Sequence, residues 1–212
     1  MIVPDLILYM QVFLPDSLRT GLIGAVLEIK IYMKQNFKEC RYLIYSDLNA
    51  IGGNLLCRLL FNPSFQVTFW YRIARYLMLK HSPMYYPAAL MHRHYGHKYG
   101  IGLPVNVEVG EGLCFAHFNC IFIGAERIGR NLTMYQGCTI GAVHGKGAPS
   151  IGDNVLMYAG SKIVGKVRVG NNVVVGANAV VVNDVPDNAV VVGVPAKVVS
   201  YNASKITQHF RR

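Results

Sequence analysis

Apolar residues follow two different periods along this chain, and the change comes near residue 100. Up to residue 98 they recur three and four positions apart, as in Leu22–Tyr32 and Phe69–Leu79, which is the spacing that lines one face of an α-helix. Helix breaks are expected at Gly52-Gly53, Pro63 and Pro83, and helix starts at Ser46-Asp47 and Ser64, where short polar side chains can cap free backbone N–H groups. From Ile101 onward the helical period disappears and a period of six replaces it. An aliphatic residue followed by glycine opens VGEGL at Val109, IGRNL at Ile128, IGDNV at Ile151, VGNNV at Val169 and VGANA at Val175, and IGAVH at Ile140 keeps the first half. The leading residues Ile151, Met157, Ile163, Val169, Val175 and Val181 follow one another six apart without a slip. Four positions after each comes a small or β-branched residue: Val155, Ser161, Val167, Val173, Ala179 and Val185.

A fixed short period is the mark of a repeat architecture in which each unit buries its neighbour's edge. Six residues make one short strand and a bend, and three such units close a triangular coil. The leading aliphatic residue i points inward. Glycine at i+1 is expected to tolerate the bend, including positive φ, and the residue at i+4 also faces the narrow interior, where bulk would overpack. Ile128, Met134 and Ile140 form one coil, Ile151, Met157 and Ile163 the next, and Val169, Val175 and Val181 a third. Val109, Phe115 and Ile121 form a coil upstream, with one extra residue before Ile128. An antiparallel barrel would show strict alternation and hairpin turns instead. The expected organisation is a helical region over 1–98, a parallel β-helix over 99–200 and a tail over 201–212.

Composition narrows the picture. Apolar residues make up 52% of the 212 and charged residues only 15%, too apolar a mixture for a disordered chain. The net charge of +10 permits anionic partners without choosing among them. Residues 51–100 hold six Lys or Arg, four His and no acid, which reads either as a solvated basic helix face or as a surface for an anionic ligand. The β-helix does not interleave basic residues with aromatics, so no nucleic-acid partner is expected. The five cysteines are odd in number and lack CxxC spacing, which argues against a disulfide framework or a zinc site and for a reducing, cytoplasmic setting. Met1–Leu14 is apolar apart from Pro4, Asp5 and Gln11. It lacks the basic start and cleavage site of a signal peptide, and charges at Asp5, Asp16, Arg19 and Glu28 interrupt any span. A buried or self-associating helix is favoured there over peripheral membrane contact.

Candidate chemistry is sparse. Between Ile140 and Ile151 five extra residues expel the loop VHGKGAPS, Val143–Ser150, and loops on rigid scaffolds commonly carry function. His144 lies in that loop. His117, in FAHFNC, sits at i+2 of its repeat, a bend position facing outward, so it is not a core residue. No clustered histidines suggest a metal site, and none is expected. Cys114, Cys120 and Cys138 occupy positions where small apolar residues pack, so they read as filler rather than nucleophiles.

The helix YRIARYL (Tyr71–Leu77), YGIGLP leading into VGEGLCFAHF, the interrupted coil and the terminal VPDNAVVVGVPAKVVS together resemble the hexapeptide-repeat acyltransferases. The resemblance runs from about Tyr42 to Tyr201 and is closest to the serine acetyltransferase family with its capsule- and polysaccharide-cluster relatives. It implies a mainly β fold, a left-handed parallel β-helix of hexapeptide repeats with an N-terminal α-helical domain. It also implies acetyl-CoA as acetyl donor, a homotrimer, a small-molecule hydroxyl acceptor and His117 as general base. A backbone N–H such as that of Gly141 would stabilise the oxyanion, Ala159 and Ala177 match contacts to the donor, and Lys197 corresponds to a basic residue near its phosphates. The chain departs from the family where Gly102 and Ala116 replace aspartates and Ala148 replaces a second histidine. His144, Glu108 or Glu111 are candidate substitutes for contacts to the acceptor. The ending HFRR lacks the aliphatic terminus that docks a sulfhydrylase, so no cysteine-synthase-type complex is expected. The absent aspartates keep two alternatives open: an O-acetyltransferase for a sugar or polysaccharide precursor, and a catalytically weak β-helix serving assembly.

Overall fold

The computed structural model describes residues 37–51, 54–144 and 147–209. The chain divides after Arg41, and the part from Tyr42 onward carries the helices, the coils and the candidate site. The expectations for Met1–Leu14 and Leu22–Tyr32 lie outside the described residues.

Residues 42–50 are helical (α1), followed by α2 (Leu55–Phe61), α3 (Pro63–Leu79) and α4 (Tyr85–Tyr99). Two of the expected starts are displaced. Ser46 and Asp47 lie inside α1. Asn62, not Ser64, caps α3, its side chain accepting the Phe65 N–H at 3.2 Å. Pro63 opens that helix instead of breaking it, because its missing N–H is one of the first-turn donors that would lack a helical partner anyway. Helix α4 ends at Gly100, whose φ of 63° is left-handed and whose N–H closes onto the carbonyls of Gly96 and His97.

The strands follow as five coils. The first is β1 (Ile101–Gly102), β2 (Glu108–Val109) and β3 (Cys114–Phe115). The second is β4 (Ile121–Ile123), β5 (Arg127–Ile128) and β6 (Thr133–Met134), and the third β7 (Thr139–Gly141), β8 (Ser150–Ile151) and β9 (Leu156–Met157). The fourth is β10 (Lys162–Val164), β11 (Arg168–Val169) and β12 (Val174–Val175). In the fifth, β13 (Val180–Val181) and β14 (Val190–Val192) are followed by β15 (Lys197–Ser200), which turns back antiparallel to β14. These strands build three faces of a prism. The first face is β1-β4-β7-β10-β13, the second β2-β5-β8-β11, and the third β3-β6-β9-β12-β14-β15. Helix α5 (Ala203–His209) forms within the segment expected to be a tail.

Register makes the prism's interior. Val109, Ile128, Ile151 and Val169 stack rung over rung, as do Phe115, Met134, Met157, Val175 and Val191. The i+4 residues Val155, Ser161, Val167, Val173, Ala179 and Val185 are all buried. Each large aliphatic residue taken from water in this way contributes about 1.5–3 kcal/mol.

The bend chemistry differs from the expectation. The i+1 glycines Gly129, Gly152 and Gly170 do not have positive φ. They are needed because successive coils touch there: a Cβ on Gly152 would stand 2.6 Å from the Gly170 carbonyl oxygen. The left-handed residues are two positions later, at Asn131, Asn154, Asn172 and Asn188, with φ between 54° and 61°. Asparagine tolerates that region better than most residues. Here it gains a ladder in which each amide donates to the next: Asn131 to Asn154 at 2.9 Å, Asn154 to Asn172 at 2.9 Å and Asn172 to Asn188 at 3.1 Å.

One face of the prism is apolar outside as well as in. On the second face the outward residues are Glu108, Arg127, Ser150 and Arg168, but on the third they include Cys114, Leu156, Val174 and Val190. The helices cover the third face. Cys114 packs with Leu48, Ile51 and Phe65, and Leu156 and Val174 pack with Ala203 and Ile206 of α5.

Two arginines of the acid-free stretch fix α3 to the first coil and a third ties α2 to the end of α1, so that stretch is not simply a solvated basic face. Arg72, 3% exposed, donates to both oxygens of buried Asp47 at 2.8 and 3.0 Å and to the carbonyls of Val109 and Gly110 at 2.6 Å each. Asp47 also accepts the Leu113 N–H at 2.9 Å. Arg75 reaches the Val105 and Asn106 carbonyls, and Arg58 those of Leu48 and Ile51.

Candidate active site

His117 lies on the corner that joins the third face to the first, and this corner is enlarged. The residue in register with Ile140 is Ile123, not Ile121, so eight positions separate Phe115 from its successor where the repeat would give six. The additional residues therefore fall at the corner carrying His117, not before Ile128. Asn119 and Cys120 turn it with φ of 86° and 55°. Cys120 is consequently exposed, whereas Cys114 and Cys138 are buried as expected of filler. Burial pushes the Cys114 thiol up to about 11, which leaves it protonated and unreactive. Among the described residues, no group of three or more His, Cys, Asp and Glu is placed to hold a metal ion.

The widened corner is held from two sides. The Asn119 N–H donates to the Tyr99 carbonyl at 3.0 Å, and the Gly137 N–H to the Asn119 carbonyl at 3.1 Å. Phe118 meets the Tyr99 ring edge-on at 5.6 Å, and the Tyr99 hydroxyl donates to Gln66 Oε1 at 2.6 Å. The exposed His117 imidazole lies against the Tyr135 ring, with centroids 5.2 Å apart and a tilt of 58°. Tyr135 in turn lies against Tyr158 at 5.4 Å.

Register places several of the residues singled out from sequence in one column below His117. Phe115, Met134, Met157 and Val175 stack, so the residues two positions on, His117, Gln136, Ala159 and Ala177, follow the same prism edge. Lys197 pairs with Val192 on the last rung of that face. Five rungs at the usual strand spacing put it about 24 Å from the level of His117. Gly141 is not brought to this corner. It ends β7 at the opposite side of the first face and lines a largely apolar groove of about 640 Å³ with His92, Arg93, His97, Gly102 and Phe122. His92 is buried there, its Nε2 donating to the Leu103 carbonyl at 2.7 Å, and burial pushes its pKa below the ordinary histidine value. Its Nδ1 is also sealed from solvent, so this histidine cannot reach an acceptor in the groove.

His144 is exposed in the expelled loop, which Val143 and Gly147 close by a pair of backbone hydrogen bonds at 3.2 and 3.3 Å. Glu108 and Glu111 do not approach the His117 corner. Glu108 faces out from the second face, and Glu111, just beyond β2, accepts the Tyr42 hydroxyl. A second cavity of about 300 Å³, lined by Ser46, Asn49, Asn131, Thr133, Asn154 and Thr207 among others, holds none of the candidate site residues.

A prism of stacked six-residue rungs, with a loop expelled from one coil and a histidine on an enlarged corner, defines a hexapeptide-repeat β-helix protein. Residues 148–183 match the model of the bacterial transferase hexapeptide (six repeats). The particular likeness is to serine acetyltransferases. Over 115 residues the chain is 41% identical to the serine acetyltransferase of Staphylococcus xylosus, covering 52% of this chain and 53% of that one. It therefore spans about half the length of the curated relatives it matches. Among solved structures, the serine acetyltransferase of Neisseria gonorrhoeae in complex with serine superposes with a TM-score of 0.69 at 29% identity, covering 82% of this chain and 75% of that chain. A serine acetyltransferase in complex with CoA superposes with a TM-score of 0.68 at 26% identity, covering 81% and 74%. Among the described residues no helix is long and apolar enough to cross a membrane.

Proposed function

We propose that this chain is an acetyl-CoA-dependent O-acetyltransferase of the serine acetyltransferase type, with His117 as general base. The observation that carries the reading is the exposed imidazole on the enlarged corner of a β-helix that is similar, in sequence and in shape, to serine acetyltransferases. His117 takes the proton of the acceptor hydroxyl as its oxygen attacks the thioester carbonyl. The tetrahedral oxyanion then collapses, the C–S bond breaks, and the CoA thiolate leaves with the proton from the imidazolium. No acyl-enzyme forms; holding both substrates together and the proton transfer supply the rate.

The donor would lie along the prism edge below His117, its arm passing the small side chains of Ala159 and Ala177 and its phosphates reaching Lys197. Gly141 and the expelled loop with His144 lie on the far side of the first face from that edge. A threefold assembly is proposed because it would set the loop side of one copy against the His117 edge of its neighbour.

Serine is the leading acceptor on the strength of the relatives. A sugar hydroxyl is the second, favoured by the corner itself: Ala116 precedes His117, Gly102 stands on β1, and Glu108 and Glu111 are elsewhere, so the described residues place no carboxylate there to receive an amino acid's ammonium. Thiol release from acetyl-CoA, measured with L-serine and with a panel of hydroxyl-bearing sugars, separates the two. His117→Ala is expected to lower turnover with the productive acceptor by about 10²–10⁴-fold. Absence of turnover with every acceptor, or full activity in His117→Ala, would refute the proposal.

A further inference from the structure

We propose that Tyr135 is the positioning residue for His117, its ring standing in for the orienting aspartate that the family resemblance expects at Gly102; this rests on the general-base reading of His117. A base on an enlarged, solvent-exposed corner has a geometric difficulty. Its side chain has three χ1 wells and a roughly two-fold χ2, about six orientations of which one serves a given substrate pose. Among the described residues the imidazole has no hydrogen bond or ion pair to select one. The structure gives it instead the Tyr135 ring at 5.2 Å and 58°.

That ring is itself immobilised. Tyr135 follows Met134 at the end of β6, one rung below Ala116, so the absence of a larger side chain at 116 leaves the space over it to His117. On its other side it meets Tyr158 at 5.4 Å and 32°, and both tyrosines pack against the cluster of Leu156, Val174 and Ala203 that α5 completes with Ile206. Burial, then the neighbouring Tyr158, raises the Tyr135 pKa above its ordinary 10, so its ring remains a neutral phenol through the working range. The order of support runs from α5 to the tyrosine pair to the imidazole.

The contact also matches the charge that the reaction creates. On accepting the acceptor's proton His117 becomes a cation, and a cation that swings over the face of an aromatic ring within about 6 Å of its centroid is attracted by the ring's quadrupole. A carboxylate would orient the imidazole and stabilise its cation by charge. Here a ring orients by contact and stabilises by quadrupole. Because only the competent fraction of orientations turns over, losing the ring is expected to lower kcat about three- to tenfold.

The test uses the full chain with acetyl-CoA and whichever acceptor supports turnover. Tyr135→Leu keeps an apolar side chain against α5 but removes the flat face; Tyr135→Phe keeps the face and removes only the hydroxyl. Tyr135→Leu should lose three- to tenfold in kcat with the KM for acetyl-CoA within about twofold of the parent, and Tyr135→Phe should match the parent. In proton–carbon NMR the His117 ring signal, identified by its disappearance in His117→Asn, should lose its ring-current displacement in Tyr135→Leu and keep it in Tyr135→Phe. An unchanged kcat or an unmoved His117 signal in Tyr135→Leu overturns the assignment, and so does a Tyr135→Phe defect equal to that of Leu. Full activity in His117→Ala would instead sink the general-base reading, and the NMR signal would still report whether Tyr135 holds the ring.

Discussion

Asp47→Ala removes the carboxylate on which the docking of helices to the first coil converges. In the native chain Asp47 is fully buried and takes two N–H bonds from Arg72, at 2.8 and 3.0 Å, and one from the backbone of Leu113 at 2.9 Å. The substitution leaves a buried guanidinium facing the space where its counter-charge stood, and orphans the Leu113 N–H. Breaking a buried pair from one side costs about 3–5 kcal/mol, against a total stability of about 5–15 kcal/mol. For a chain of this size that is a fall of roughly 6–20 °C in Tm. Urea unfolding followed by the fluorescence of Trp70, the single tryptophan, which lies on α3 two residues from Arg72, reads the loss at the docked surface. The double change Asp47→Leu with Arg72→Met leaves no buried charge and is expected to cost less than Asp47→Ala alone. A cost below about 1 kcal/mol for Asp47→Ala, or a double variant equal to the sum of its singles, would refute this account of the clamp.

Two further outcomes follow from other parts of the molecule. Asn154→Ala should destabilise by about 1–3 kcal/mol, since it loses two rungs of the amide ladder and puts alanine at a φ of 61°; Asn154→Gly, which accepts that φ freely, should lose less, and thermal melts of the pair measure the difference. Burial holds His92 neutral by pushing its pKa below the ordinary 6.5. The unfolded chain therefore binds a proton there before the native one does, and stability should fall as pH drops below about 6.5, by at most about 1.4 kcal/mol per pH unit. His92→Asn should flatten that slope in urea midpoints measured between pH 7.5 and 5.5; an unchanged slope would remove His92 as its source.

The prism was legible in the sequence because its physics is local. Each inward residue meets the residue one coil away, and the coil length is constant, so a contact distant in space becomes a fixed offset in sequence. Cys138, Ser161 and Val173 could be placed inside from spacing alone. The apolar outward residues Leu156, Val174 and Val190 carry a further signal: they mark the face that α5 covers, and with it an element within 201–212. The glycines were correctly located but for the wrong reason. Close approach between coils is invisible in one repeat, and a glycine needed for space looks the same in sequence as one needed for φ.

The sequence by itself determined the repeat, its interior, the expelled loop and an outward histidine at a bend. Tertiary structure alone decided how wide that bend is, because two aliphatic residues, Ile121 and Ile123, both suit the interior and only pairing with β1 and β7 shows which rung each one meets. It alone placed Tyr135 beside His117, eighteen residues apart in the chain and one rung apart in space. It alone turned three arginines of a basic stretch toward backbone carbonyls and Asp47. Periodicity reports which way a side chain faces; what it meets there depends on elements that carry no period in common with it.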